Sequence, residues 1–233
     1  MSKPRVLLPL LFVVAFFAFQ GTASAAFFDN ISPIKINQRG PASPSPSTIN
    51  VTGQQGPITD VKVTLFDIGH TQPSNLDILL VSPTGQSSIL MSDTCVLQGV
   101  EDKVWTFTSG QAGMGANCQN GAYGPTDVTD PGPDEWPGAP AGPHTADLKN
   151  FNGYDPNGQW KLYVMDDGDG FEGDIETGWV ITLKTKDSAI KIPGAGTSGP
   201  ADPYPAKQTV AGETGVVSDV NVVIPGIFHK RPR

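Results

Sequence analysis

Cysteine, histidine and charge are all scarce in this 233-residue chain, which has two Cys, three His and 16% charged residues. His70, His144 and His229 stand in separate contexts, so neither a zinc centre nor a Ser-His-Asp set is supported. A helical bundle or coiled coil would need far more Ala, Glu, Lys and Leu. Basic residues are few as well: Lys+Arg 15 against Asp+Glu 23 gives −8, which lacks the basic face that nucleic acid or an anionic membrane requires. What the chain does have is Gly 27 and Pro 22, about a fifth of its residues. That stays below the roughly 25–30% typical of low-complexity chains and predicts a turn-rich, all-β globular protein.

The N-terminus reads as a secretory signal. Lys3 and Arg5 precede an apolar run from Val6 to Phe19, and Ala23-Ser24-Ala25 supplies the small residues of a cleavage site. The run is shorter than the roughly 20 residues that span a bilayer, which favours removal after Ala25 over a membrane anchor. An exported chain meets an oxidising compartment, so Cys95 and Cys118 are expected to form a disulfide, worth roughly 3 kcal/mol if unstrained.

Beyond residue 25 no helical period is sustained, and short alternating segments recur between Gly, Pro and Asn clusters. Val61, Val63 and Leu65, then Trp105 and Phe107, then Trp160, Leu162 and Val164, and finally Trp179, Ile181 and Leu183 each alternate with other residues as half-buried strands do. Leu76 to Val81 and Ser88 to Met91 flank Ser82-Pro83-Thr84-Gly85 and read as a hairpin. Together these imply a β-sandwich, with 110–144 read as loop.

An internal repeat divides the chain. Gly40-Pro41-Ala42 recurs as Gly199-Pro200-Ala201, and the offset of 159 then holds without a gap, with 14 of the 34 positions from Gly40 to Pro73 identical. His70 falls opposite His229 and Pro73 opposite Pro232. The repeat predicts a signal over 1–25, a lead-in over 26–39, one domain over 40–187, a linker over 188–203 and the truncated start of a second copy over 204–233. The Val216 to Ile224 strand of that stub would lack most of its partners.

Three motifs, taken in order, carry a family resemblance: Thr59-Asp60-Val61-Lys62-Val63 leading to Ile68-Gly69-His70-Thr71; Asn75-Leu76-Asp77-Ile78 through Ser82-Pro83-Thr84-Gly85; and Asn157-Gly158-Gln159-Trp160 through Asp166, with Gly173-Asp174-Ile175 and Trp179. Together they resemble the P domain, or P/Homo B domain, of kexin- and furin-type subtilisin-like proprotein convertases. The resemblance implies a jelly-roll β-sandwich and a non-catalytic role beside a protease catalytic domain or another extracellular protein. A serine-type endopeptidase activity would then belong to a catalytic domain absent from this chain.

The chain's own residues agree that chemistry is missing. Gly196-Thr197-Ser198 imitates a subtilisin-type nucleophile, but Pro200, Pro203 and Pro205 exclude the helix that such a serine begins. Asp166 to Glu176 places six carboxylates in eleven residues, interleaved with glycines. Their mutual repulsion suggests a calcium site drawing on Asp166, Asp167, Asp169, Glu172 and Asp174. Asp127, Asp130, Asp134 and Glu135 form a second, weaker acidic loop. Trp136, Tyr123 and Tyr154 lie in loops and raise the alternative of a carbohydrate-binding jelly roll. The leading expectation is a secreted, non-catalytic P-domain module with no nucleic-acid partner and no membrane anchor.

Overall fold

The computed structural model describes residues 25–128, 134–186 and 199–201. The signal before Ala25, nearly all of the linker, Ser198 and the second copy at 204–233 lie outside the described residues.

In chain order the strands are β1 Ala25–Asn30, β2 Ile34–Ile36, β3 Gly40–Pro41, β4 Ser47–Val51, β5 Ile58–His70, β6 Leu76–Val81, β7 Ser87–Ser92, β8 Val100–Thr108, β9 Gly121–Tyr123, β10 Thr126–Asp127, β11 Gly158–Asp166, β12 Gly173–Ile175 and β13 Trp179–Thr185. They form two sheets, as the all-β reading expects. The first runs β1-β13-β5-β12-β2, with β8 on β5 and β9 on β8. The second runs β10-β7-β6-β11-β3, with β4 also on β11. The segment 26–39, separated from the domain by the repeat, supplies β1 and β2 to the first sheet. The stretch 110–144, read as loop, contains β9 and β10, each too short to show a period.

The alternating segments bury the residues expected of them. Val61, Val63, Leu65, Trp105, Phe107, Trp179, Ile181 and Leu183 face Leu76, Ile78, Leu80, Trp160, Leu162 and Val164 in one core. Strand β5 carries a further device. Its pairing with β8 shifts between Leu65 and Ile68, and Asp67 stands at φ 53. A bulge of this kind inserts a residue and changes which parity faces inward. After odd-numbered Val61, Val63 and Leu65, the buried positions become Ile68 and His70. Thr177 Oγ1 donates to Asp67 Oδ2 and the Glu176 N–H to the Asp67 carbonyl, which holds the bulge in place.

Strand β6 is buried at every position, because both of its faces are covered. Leu76, Ile78 and Leu80 enter the main core, whereas Leu79 and Val81 join Ile89, Tyr163 and Trp136 in a second cluster on the outer face of the sheet. Trp136 belongs to the segment after residue 133, which therefore caps that face. Cys95 and Cys118 are bonded, with Cα atoms 5.4 Å apart, and the disulfide closes the loop that contains β8.

Candidate functional site

The five expected calcium ligands are distributed over different environments. Asp166 ends β11 and is fully buried. Its Oδ1 accepts the Gly168 N–H at 2.8 Å, and its Oδ2 lies 2.9 Å from His70 Nε2. The Gln72 N–H donates to His70 Nδ1 at 3.2 Å, so the ring proton sits on Nε2 and is donated to Asp166. Strand β5 belongs to the first sheet and β11 to the second, so this bond locks the two sheets together at one end. Gly173 is required beside it: a Cβ there would meet the Gly69 carbonyl oxygen at 2.1 Å and His70 Cδ2 at 2.6 Å.

Asp169 is exposed and pairs with Arg39 at 2.8 Å. Glu172 is exposed, and so is Asp174 on β12, between Lys35 of β2 and Gly69 of β5. Asp167 N–H donates to the Asn75 carbonyl at 3.1 Å, which turns this residue back toward the start of β6. Among the described residues, no three of these five bring ligand oxygens within 4.8 Å of one another.

A different triad does. Asp77, Asp93 and Asp134 each place one carboxylate oxygen within 4.8 Å of the others. Asp77 lies on the outer face of β6, 2% exposed, and its Oδ1 has no hydrogen-bond partner. Trp136 Nε1 donates to the Asp77 carbonyl at 3.1 Å and brings Asp134 over it. Asp93 follows β7 at φ 52, a conformation that Asp tolerates better than most residues, and Ser92 Oγ donates to its Oδ2 at 3.2 Å. Burial first, then the charges of Asp134, Asp167 and Asp93, push the Asp77 carboxyl up to about 8.

The sequence places Asp134 in the weaker acidic loop. Asp77 and Asp93 were missed as site residues. The available signal was Leu76-Asp77-Ile78-Leu79-Leu80-Val81, a continuous apolar run broken by one carboxylate.

The raised value has a sign that can be tested. A carboxyl whose folded pKa exceeds its unfolded one costs stability progressively as pH rises from about 4 towards about 8. With EDTA present, Asp77→Asn should therefore gain stability relative to the native chain between pH 5 and pH 8, read from urea midpoints. An unchanged difference between the two proteins across that range would contradict the assignment.

Ser87 Oγ lies 2.7 Å from His144 Nδ1, which places a serine beside an imidazole. No carboxylate hydrogen-bonds His144 among the described residues; its further partner is the Pro140 backbone, and burial lowers its pKa. Trp136 packs edge-on against that imidazole with centroids 5.4 Å apart. The three loop aromatics behind the carbohydrate-binding alternative stand in different environments. Trp136 is 7% exposed, held in the second cluster by apolar contacts and its bond to Asp77, and the Tyr123 hydroxyl donates to the Gln119 carbonyl. Only Tyr154 of the three aromatics is exposed.

The site thus belongs to an all-β, two-sheet domain whose polar interior joins strands. Residues 58–123, covering β5 to β9, match the family profile of the proprotein convertase P-domain, so the resemblance read from the motifs holds over that segment. The solved structure of the Aeromonas sobria serine protease in complex with its chaperone is similar at 17% identity, covering 72% of this chain and 28% of that one, with a TM-score of 0.35. This chain thus spans little more than a quarter of that protease. No curated protein matches.

Proposed function

We propose that the chain is an exported, non-catalytic accessory module that stabilises or binds a protein partner, in the manner of the domain beside a convertase's catalytic domain. The observation that carries this reading is the P-domain match over 58–123. The fate of the candidate catalytic groups supports it. His70 is committed to Asp166 between the sheets, and His144 contacts Ser87 with no carboxylate among the described residues to orient it. The disulfide is consistent with an oxidising compartment. Among the described residues no helix is long and apolar enough to cross a membrane.

A serine-hydrolase probe of the fluorophosphonate type, applied to the purified chain, should give no labelling. Labelling that disappears in Ser87→Ala would overturn the reading and make Ser87 a nucleophile.

A further inference from the structure

We infer that Asp77, Asp93 and Asp134 form a binding site for a calcium ion on the outer face of the second sheet, under the segment anchored by Trp136. This goes beyond the accessory role and does not depend on it. Two independent observations meet at the site.

The first is convergence. One oxygen from each carboxylate falls within a 4.8 Å envelope, although the three residues come from the start of β6, the end of β7 and the capping segment. Calcium holds oxygens at about 2.4 Å, so two ligands on opposite sides of one ion are separated by just under ~5 Å. The donors are all oxygens, with no imidazole or thiolate, which selects a hard cation over a transition metal.

The second is the buried orphan. Asp77 occupies a position whose same-face successors on β6 are Leu79 and Val81, in an apolar cluster. A carboxylate oxygen sealed there without a hydrogen-bond donor is costly, and a bound cation supplies the missing partner. The Asp167 charge also acts on Asp77 and adds to the negative field at this end of the sheet. An ion at this point clamps the capping segment to β6 and β7, and so ties calcium to the packing of Trp136 on the outer face.

The test uses the full chain, stripped with EDTA and titrated with calcium chloride. At about a hundredfold excess over Kd the melting temperature should rise by about 5–10 °C. Asp93→Asn and Asp134→Asn should each lose most of that increment, whereas Asp169→Asn and Glu172→Gln should keep it. Should either cluster variant fail to fold, terbium on the native chain gives a direct reading. Its luminescence under tryptophan excitation should be displaced by calcium and fall at least severalfold in Trp136→Phe.

The inference is overturned by a melting temperature indifferent to calcium. It is equally overturned by an increment that survives Asp93→Asn and Asp134→Asn, by one that Asp169→Asn removes, or by terbium emission that Trp136→Phe leaves intact.

Discussion

Asp166→Ala should cost the domain roughly 3–5 kcal/mol in urea-induced unfolding, because two hydrogen bonds to one buried carboxylate are lost together, the one from His70 in the interior between the sheets. The carboxylate is fully buried and accepts from His70 Nε2 on one oxygen and from the Gly168 N–H on the other. Alanine leaves the His70 donor unsatisfied between the sheets and frees the half-buried Gly168 N–H. Asp166→Asn keeps one acceptor oxygen but turns an amide N–H₂ toward the other donor, so it should recover only part of the loss. Stability within about 1 kcal/mol of the native protein in both variants would show that the bond does not hold the sheets together.

The second large effect lies in the apolar core. Trp160 is fully buried on β11, its ring edge-on to Phe151 with centroids 5.1 Å apart. Its Nε1 donates to the Pro156 carbonyl at 2.9 Å, which fixes the turn leading into the strand. Trp160→Ala removes the largest class of side chain from a close-packed core and leaves a cavity that the paired strands cannot collapse to fill. The expected loss is about 3–5 kcal/mol. Trp160→Phe retains most of the volume and the aromatic contact but frees the Pro156 carbonyl, and should cost about 1–2 kcal/mol. Equal losses in the two variants would place the energy in the hydrogen bond instead of the packing.

Much of this architecture was legible because the strands that build the core alternate cleanly. Trp179, Ile181 and Leu183 point inward on β13, and the Trp105 and Trp160 strands follow the same rule. The turn chemistry of Ser82-Pro83-Thr84-Gly85 likewise identified the β6–β7 hairpin. Two features were not visible. The bulge at Asp67 changes the parity of β5, so a period of two carried past Leu65 puts His70 on the wrong face. The capping segment was hidden for a different reason. Its Pro- and Gly-rich composition says that it turns, but not that Trp136 folds back over Leu79 and Val81.

The acidic loop shows how carboxylate density in the sequence and convergence in space can part company. Asp166 and Asp169, three residues apart, end in a buried bond to His70 and an exposed pair with Arg39. The three carboxylates that do converge are separated by 16 and 41 positions along the chain, a proximity created by strand pairing and the cap.

His70 and Asp166 serve as a lock between the two sheets. The measurement that reaches it most directly is long-range ¹⁵N–¹H correlation of the His70 ring in the folded, labelled protein. The predicted spectrum shows a single tautomer, with the proton on Nε2 and a bare Nδ1 accepting from Gln72. A proton on Nδ1, or a ring exchanging between both tautomers, would contradict the lock.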